Sequence, residues 1–180
     1  MILAAHSDAS YISEPKSRSR AGGKFFLTNH AEVPLNNGAV LNIAHIIKSV
    51  MSSATEAEIS ALYIMSREAV YMRTVLDELG YKQPPTPLQI DNSMADGVFN
   101  VKIQPKRTKA MDICFHCIRD REYQEQFCIY WRPGKLNYAN YWTKHHAATH
   151  HHTVRKEFIT NSMVLEMLRK EKSILSATAS

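Results

Sequence analysis

Leu62, Met65, Ala69, Met72, Leu76 and Leu79 recur at alternating steps of three and four residues. That spacing places them on one stripe of a 3.6-residue helix and predicts an amphipathic helix over 53–80. Both ends are marked chemically. Ser53-Ala54-Thr55-Glu56 has the form of a capping box, in which a serine hydroxyl and a glutamate carboxylate satisfy free amides of the first turn. Gly80 suits the left-handed residue just past a helix end, and Pro84, Pro85 and Pro87 prevent continuation. A helix this long with one apolar stripe must bury that stripe, and the flanking segments read as the sheet that covers it.

Residues 2–12 form a mostly apolar strand with Asp8 inside it. Ala21-Gly22-Gly23 reads as a turn or hinge, 24–28 as a second strand, 33–38 as a turn and 40–50 as a third strand. Three strands joined by short turns suggest an antiparallel meander. After the long helix, Leu88-Gln89-Ile90 is a short strand running into Asp91. A short helix should follow and end before Pro105. Thr108 can cap another, with Met111, Cys114, Phe115 and Ile118 as its apolar face. Residues 127–131 are a last strand closed by Pro133-Gly134, 137–147 a short helix, and 154–172 an amphipathic helix before a Ser/Ala tail. The order is that of an α/β (α+β mixed) fold, a mixed sheet with helices packed on it. Residues 1–152 read as one domain and 153–180 as a C-terminal amphipathic helix with a frayed tail. No apolar run approaches the ~20 residues of a membrane span, and Met1 to Ala5 is too short for a signal-peptide core. The reading is an intracellular chain that looks like an excised domain or fragment.

Three acids occupy unusual positions. Asp8 lies within an apolar strand, where an unpaired charge is costly to bury. Asp91 sits at the carboxyl end of a short strand, where α/β proteins place ligand groups. Glu58 precedes Leu62 by four residues and so extends the stripe that packs on the sheet. Glu56 has a capping role; Glu58 has none. Structural roles are open to each acid: an edge-strand acid for Asp8, an N-cap for Asp91, a helix-dipole partner for Glu58. Together, three inward acids repel one another unless cations sit among them, and hard divalent ions such as Mg²⁺ prefer such all-oxygen sites.

The chain carries 22 Lys and Arg against 17 Asp and Glu, a net charge of +5, which hints at a polyanionic partner. The charge is clustered in Lys16–Arg20, in Lys102, Lys106, Arg107 and Lys109, and in Arg132, Lys135 and Lys144. Each cluster is also compatible with a solvated face. Cys114, Cys117 and Cys128 are an odd set that favours reduced thiols. Cys114-Phe115-His116-Cys117 and the histidines at 145, 146, 150, 151 and 152 invite a zinc reading. Cys114 fits an apolar helix face, however, and no second ligand pair follows at zinc-finger spacing.

Four motifs in order resemble the ribonuclease H domain of copia-type LTR retrotransposon polyproteins. They are His6-Ser7-Asp8-Ala9-Ser10-Tyr11, Ser52-Ser53-Ala54-Thr55-Glu56-Ala57-Glu58, Asp91-Asn92-Ser93 and Ala139-Asn140-Tyr141-Trp142-Thr143-Lys144. The stretch from Lys106 to Asp112 resembles that family's basic turn into a later helix. The resemblance implies a ribonuclease H-like five-stranded mixed sheet flanked by helices. It implies cleavage of the RNA strand of an RNA–DNA hybrid during reverse transcription, in a cytoplasmic retrotransposon particle. Two Mg²⁺ ions, with Mn²⁺ as a substitute, would be held at the catalytic site by Asp8, Glu58 and Asp91, with Asn140 as its fourth member. The reverse transcriptase domain of the same polyprotein is a possible partner. Ser10 and Asn92 would contact 2′-hydroxyls or turn the backbone, and Lys106, Arg107 and Lys109 would grip the other strand through its phosphates.

The family pattern has a fourth acid where this chain has Asn140, while Asn137, Ala139, Thr143 and Lys144 match. Asparagine offers a carbonyl oxygen to a cation but no negative charge. Three readings follow: a nuclease of reduced activity, a hybrid-binding module that no longer cleaves, or a residue changed to trap a complex.

Overall fold

The computed structural model describes residues 1–29, 34–93 and 109–159. Its strands are β1 (Ile2–Glu14), β2 (Arg18–Thr28), β3 (Ala39–Ile46), β4 (Thr86–Ile90) and β5 (Phe127–Trp131). Its helices are α1 (Ala54–Glu78), α2 (Lys109–Tyr123), α3 (Asn140–Thr143) and α4 (Ala148–Ile159), with a 3₁₀ turn at Gly134–Leu136. The expected helix before Pro105 and the basic residues Lys102, Lys106 and Arg107 lie outside the described residues. Among those described, no helix is long and apolar enough to cross a membrane.

The sheet runs in the order β3-β2-β1-β4-β5. The expected meander is present, β1 with β2 and β2 with β3 both pairing antiparallel. β4 joins parallel to β1, and β5 parallel to β4. Parallel neighbours need long crossovers, and α1 and α2 lie in the connections that make them. Leu3, Ala5, Phe25, Leu62, Met65, Leu88, Ile118 and Ile129 belong to one buried core.

α1 begins and ends as its sequence signals require. Ser53 is the N-cap, its hydroxyl accepting from the Glu56 amide at 3.2 Å. The returning arm of the box lands one residue early: Glu56 Oε2 accepts from the Ser52 amide at 2.8 Å. At the far end Gly80 has φ +88°, and its amide and that of Tyr81 donate back to Asp77 and Leu76 carbonyls, closing a Schellman motif. Leu62, Met65, Ala69 and Leu76 are buried and Met72 packs at the core margin. Leu79, the last of the stripe, is 67% exposed because it is already the C-cap.

Ala21-Gly22-Gly23 is not a turn. It lies inside β2, and the chain reverses instead at Pro15-Lys16-Ser17, where Lys16 and Ser17 take φ of 61° and 55°. The glycines serve close approach from opposite faces of the sheet. A Cβ on Gly23 would lie 1.9 Å from Met65 Sδ of α1. A Cβ on Gly22 would lie 2.6 Å from Thr143 Cγ2 and 2.8 Å from the Ala139 carbonyl oxygen. One glycine seats the long helix; the other seats α3.

Two further segments differ from expectation. The third strand ends at Ile46. The region expected as one helix over 137–147 is a turn followed by the four residues of α3, and α4 begins at Ala148, straddling the boundary expected at 152 and 153. α4 docks through Phe158, whose ring contacts those of Tyr138, Tyr141 and Trp142. Lys24 of β2 completes the dock. It is fully buried, its ammonium stands 4.7 Å from the Phe158 ring centroid and 4.9 Å from that of Tyr138, and it donates to the Glu157 carbonyl at 2.8 Å.

Gly22→Ala should destabilise the fold by ~1–3 kcal/mol, because backbone at Ala139 must shift to admit the methyl group. Urea denaturation read by circular dichroism should show the lower midpoint; an unchanged midpoint would mean α3 is not seated against β2.

Candidate active site

The parallel register between β1 and β4 pairs Ala5 with Leu88 and His6 with Gln89. Two residues further along stand Asp8, in the middle of β1, and Asp91, just past the end of β4, so the register delivers the two acids side by side. α1 brings the third. Its N-terminal part reaches the middle of β1, where Glu58 Oε1 accepts from the Ala9 amide at 3.2 Å. The three acids each offer an oxygen, and these lie within 4.8 Å of one another. Among the described residues no other trio or larger group of His, Cys, Asp and Glu converges in this way. The cysteines are free, and the Cys114/Cys117 pair and the histidines form no such centre.

Asp8 is 3% exposed and Glu58 6%. Burial raises the Asp8 carboxyl to about 6, with Asp91 adding to the rise and a Thr143 hydroxyl bond and Lys144 opposing it. Burial also pushes Glu58 up to about 9, reinforced by the charges of Asp8 and Asp91 and opposed by the Ala9 amide and Lys144. Both acids are therefore held toward their neutral forms by burial, which outweighs the hydrogen bonds and the Lys144 charge that oppose it. Glu58 Oε2 is buried with no hydrogen-bond partner among the described residues. A buried, unpartnered carboxylate oxygen beside two more carboxylates is a donor set that suits a hard divalent cation.

The fourth motif arrives from the other face. Asn137, 3% exposed, donates to the Ser7 carbonyl at 2.7 Å and accepts from the Ala139 amide at 3.1 Å, which pins the segment to β1 just before Asp8. The Tyr138 amide donates to His6 Nδ1 at 3.2 Å. His6 is buried and held down to about 3 by desolvation and by the charges of Lys24 and Arg132, so it is neutral and accepts. Thr143 donates to Asp8 Oδ2. Asn140 Nδ2 donates to Asp91 Oδ2 at 3.1 Å, to the Gly134 carbonyl at 2.9 Å and to the Asn137 carbonyl at 3.1 Å, while Lys144 Nζ donates to Asn140 Oδ1. Gly134 is needed here: a Cβ on it would lie 2.7 Å from Asp91 Oδ2. Trp131 Nε1 fixes the Asp91 carbonyl at 2.9 Å.

Asp8, Glu58, Asp91 and Asn140 thus come together. An open cleft of about 450 Å³ runs from Asp91 and Asn140 past Lys135, Lys144, His146 and His150 to Phe158. Ser10 and Asn92 adjoin the acids in sequence and are half-buried, with the Ser10 hydroxyl 2.5 Å from that of Ser13. Lys109 opens α2, and Lys106 and Arg107 fall outside the described residues. Sequence reasoning named Lys144 only as part of a basic cluster and passed over Thr143 and Gly134 as functional residues. The signal was present in the motif containing Thr143 and Lys144, but which of its polar members reach the acids depends on how tightly α3 sits against Gly22.

Without cations, Glu58 in the folded chain keeps its proton from its ordinary pKa up to about 9, whereas in the unfolded chain it does not. Its contribution to stability is therefore present below the unfolded pKa and lost as pH rises through about 9. Glu58→Gln stays neutral throughout. Its thermal midpoint should rise relative to that of the unsubstituted chain between pH 5 and 9, and millimolar Mn²⁺ should stabilise only the unsubstituted chain. Parallel midpoint curves in the absence of metal would contradict the raised Glu58 pKa.

No family model matches the chain. A retrovirus-related Pol polyprotein from transposon TNT 1-94 of Nicotiana tabacum is 27% identical over 119 residues, 66% of this chain. That match spans only 8% of the polyprotein. Among solved structures, LC11 ribonuclease H1 in complex with an RNA/DNA hybrid superposes with TM-score 0.57 at 12% identity, covering 78% of this chain and 92% of that one. The N-terminal ribonuclease H domain of Rv2228c from Mycobacterium tuberculosis, solved as a fusion with maltose-binding protein, gives 0.53 at 14% identity, covering 79% and 90%. The chain has a ribonuclease H-like fold, and its sequence is similar to part of a retrotransposon Pol polyprotein.

Proposed function

We propose that this chain is a divalent-metal-dependent endoribonuclease that cleaves the RNA strand of RNA–DNA hybrids during reverse transcription of a copia-type retrotransposon. The observation that carries this reading is the convergence of Asp8, Glu58 and Asp91 around a buried Glu58 oxygen that has no partner of its own. The place of work is the cytoplasmic particle, beside the reverse transcriptase domain of the same polyprotein.

Asp8, Glu58 and Asp91 would hold the cation, Mg²⁺ or Mn²⁺ in its place, which would make a water more acidic and offset charge on the leaving 3′-oxygen. The chain's own residues prepare the site. The Thr143 hydroxyl orients one Asp8 oxygen, the Ala9 amide fixes one Glu58 oxygen, and Trp131 holds the backbone at Asp91. Each acid therefore keeps its position without its neighbours' help, although mutual repulsion would otherwise drive them apart. Lys135 and Lys144 line the cleft that begins at Asp91 and present positive charge to a phosphate backbone. Ser10 and Asn92, next to two of the acids in sequence, would contact 2′-hydroxyls of the cleaved strand. Lys106, Arg107 and Lys109 grip the opposite strand.

A second reading is favoured by one contact. Asn140 Nδ2 donates to Asp91 Oδ2, so a carboxylate oxygen that a metal would use already has a partner. On that reading the chain binds hybrids and cleaves poorly or not at all.

A labelled hybrid with Mg²⁺, against single-stranded RNA as control, separates these readings. The chain should cleave the hybrid alone, Asn140→Asp at least about tenfold faster, and Asp8→Asn not at all. Cleavage by the Asn140→Asp form only would establish the hybrid-binding reading, and cleavage by neither would remove the nuclease proposal. Replacing Lys106, Arg107 and Lys109 together with Ala should weaken hybrid binding and flatten its dependence on salt by up to about three phosphate contacts. An unaltered slope would move the grip elsewhere.

A further inference from the structure

Asn140 has no free end. Its amide nitrogen is shared among Asp91 Oδ2 and the carbonyls of Gly134 and Asn137, and its carbonyl oxygen is taken by the Lys144 ammonium. The orientation is fixed by this network. A flipped amide would set Nδ2 against the Lys144 donor and set Oδ1 against three acceptors. The side chain therefore presents an N–H toward the acids, which repels a cation from that direction. The oxygen it could have offered to a metal is already occupied.

Lys144 is placed by the same short helix that seats Thr143 on Asp8, and its charge acts on both Asp8 and Glu58. Fully ionised, the three carboxylates carry three negative charges; the ammonium offsets one, leaving the two that a single divalent ion cancels. A second ion would stand in a site with no negative charge left to hold it and with the Lys144 ammonium beside it, a like-charge arrangement.

We propose that this site holds one divalent cation, between Asp8, Glu58 and Asp91, and that the Lys144 ammonium seated on Asn140 supplies the positive charge a second cation would otherwise bring. This rests on the reading of the three acids as a cation site and sharpens it, giving one ion where the family resemblance implies two. The buried, unpartnered Glu58 Oε2 marks the side on which the single ion is held. Lys144, exposed and within reach of the cleft, faces the side from which a phosphate would approach.

Equilibrium dialysis with Mn²⁺ alone tests this on the full chain without any activity measurement. The chain should saturate at one Mn²⁺, and Asp8→Asn should abolish that binding. Lys144→Gln should bind its first Mn²⁺ about tenfold more tightly, since a like charge has been removed. The Asn140→Asp, Lys144→Gln double variant should take two. Lys144 is exposed, so its loss should leave the circular dichroism melt unchanged. Two ions on the unsubstituted chain, or one on the double variant, would overturn the proposal while leaving the cation site intact. No ion bound at all would remove the cation site, and with it this proposal and the nuclease reading together.

Discussion

Repulsion among Asp8, Glu58 and Asp91 is the constraint around which the rest of this structure is arranged. Three acid oxygens within 4.8 Å, two of their carboxyls nearly inaccessible to water, are an unfavourable arrangement for a folded chain. The chain tolerates it because each acid comes from an element fixed by other forces. Asp8 and Asp91 are delivered by a parallel strand register that buried Ala5, Leu88 and Ile90 hold in place. Glu58 is delivered by a helix whose start is set two turns from its first core leucine by a serine cap. Apolar burial and capping carry the cost that the acids impose, and proton uptake by Glu58 relieves it when no cation is present.

The support on the opposite face has the same logic. Asn137 and Thr143 tie the α3 segment to β1 at residues 7 and 8, and Gly22 leaves the space that lets them reach. Behind them, Lys24 is buried among Phe26, Tyr138 and Phe158 with its ammonium on Asn36 and the Glu157 carbonyl. Burial lowers its pKa to about 7, so it is near the point of giving up its proton in the folded chain. The C-terminal helix is thus coupled to the acid centre through a single β-strand. Lys24 pairs with His6, and His6 stands two residues before Asp8.

What could be read from the sequence is what local chemistry determines. α1 declares its own ends, so its span and the separate jobs of Glu56 and Glu58 follow from helix phase and capping. Asp91 at the end of a short apolar strand needed only the strand's direction. Gly22-Gly23 was misleading because glycine marks both turns and tight packing, and only the partners, Thr143 and Met65, distinguish the two. The true reversal at Lys16-Ser17 carries no glycine or asparagine to announce its positive φ. α4 starts earlier than its apolar residues suggest. Its first turn carries histidines, and His150 stacks on His146, just before the helix, which in turn stacks on Tyr141, so no apolar stripe marks this end. Lys24 was invisible for a related reason: a lysine in a strand reads as solvent-facing until the aromatic residues around it are known.

Asn140 shows how charge and structure trade against each other at such a centre. Its amide gives hydrogen to three acceptors that already surround the position, Asp91 Oδ2 and the Gly134 and Asn137 carbonyls. An aspartate there would turn the same geometry into four acceptors facing one another, tolerable only with a proton or a cation among them. Asparagine therefore lets the fourth position stand without a counter-charge, whereas an aspartate there would need the Lys144 ammonium, a proton or a metal ion. The Asn140 amide oxygen still accepts from the Lys144 ammonium, so that positive charge stays at the fourth position although the position itself carries no negative charge. The fourth position consequently does not simply lose a ligand. It lowers the negative charge that draws cations from solution while the Lys144 ammonium stays beside the acids.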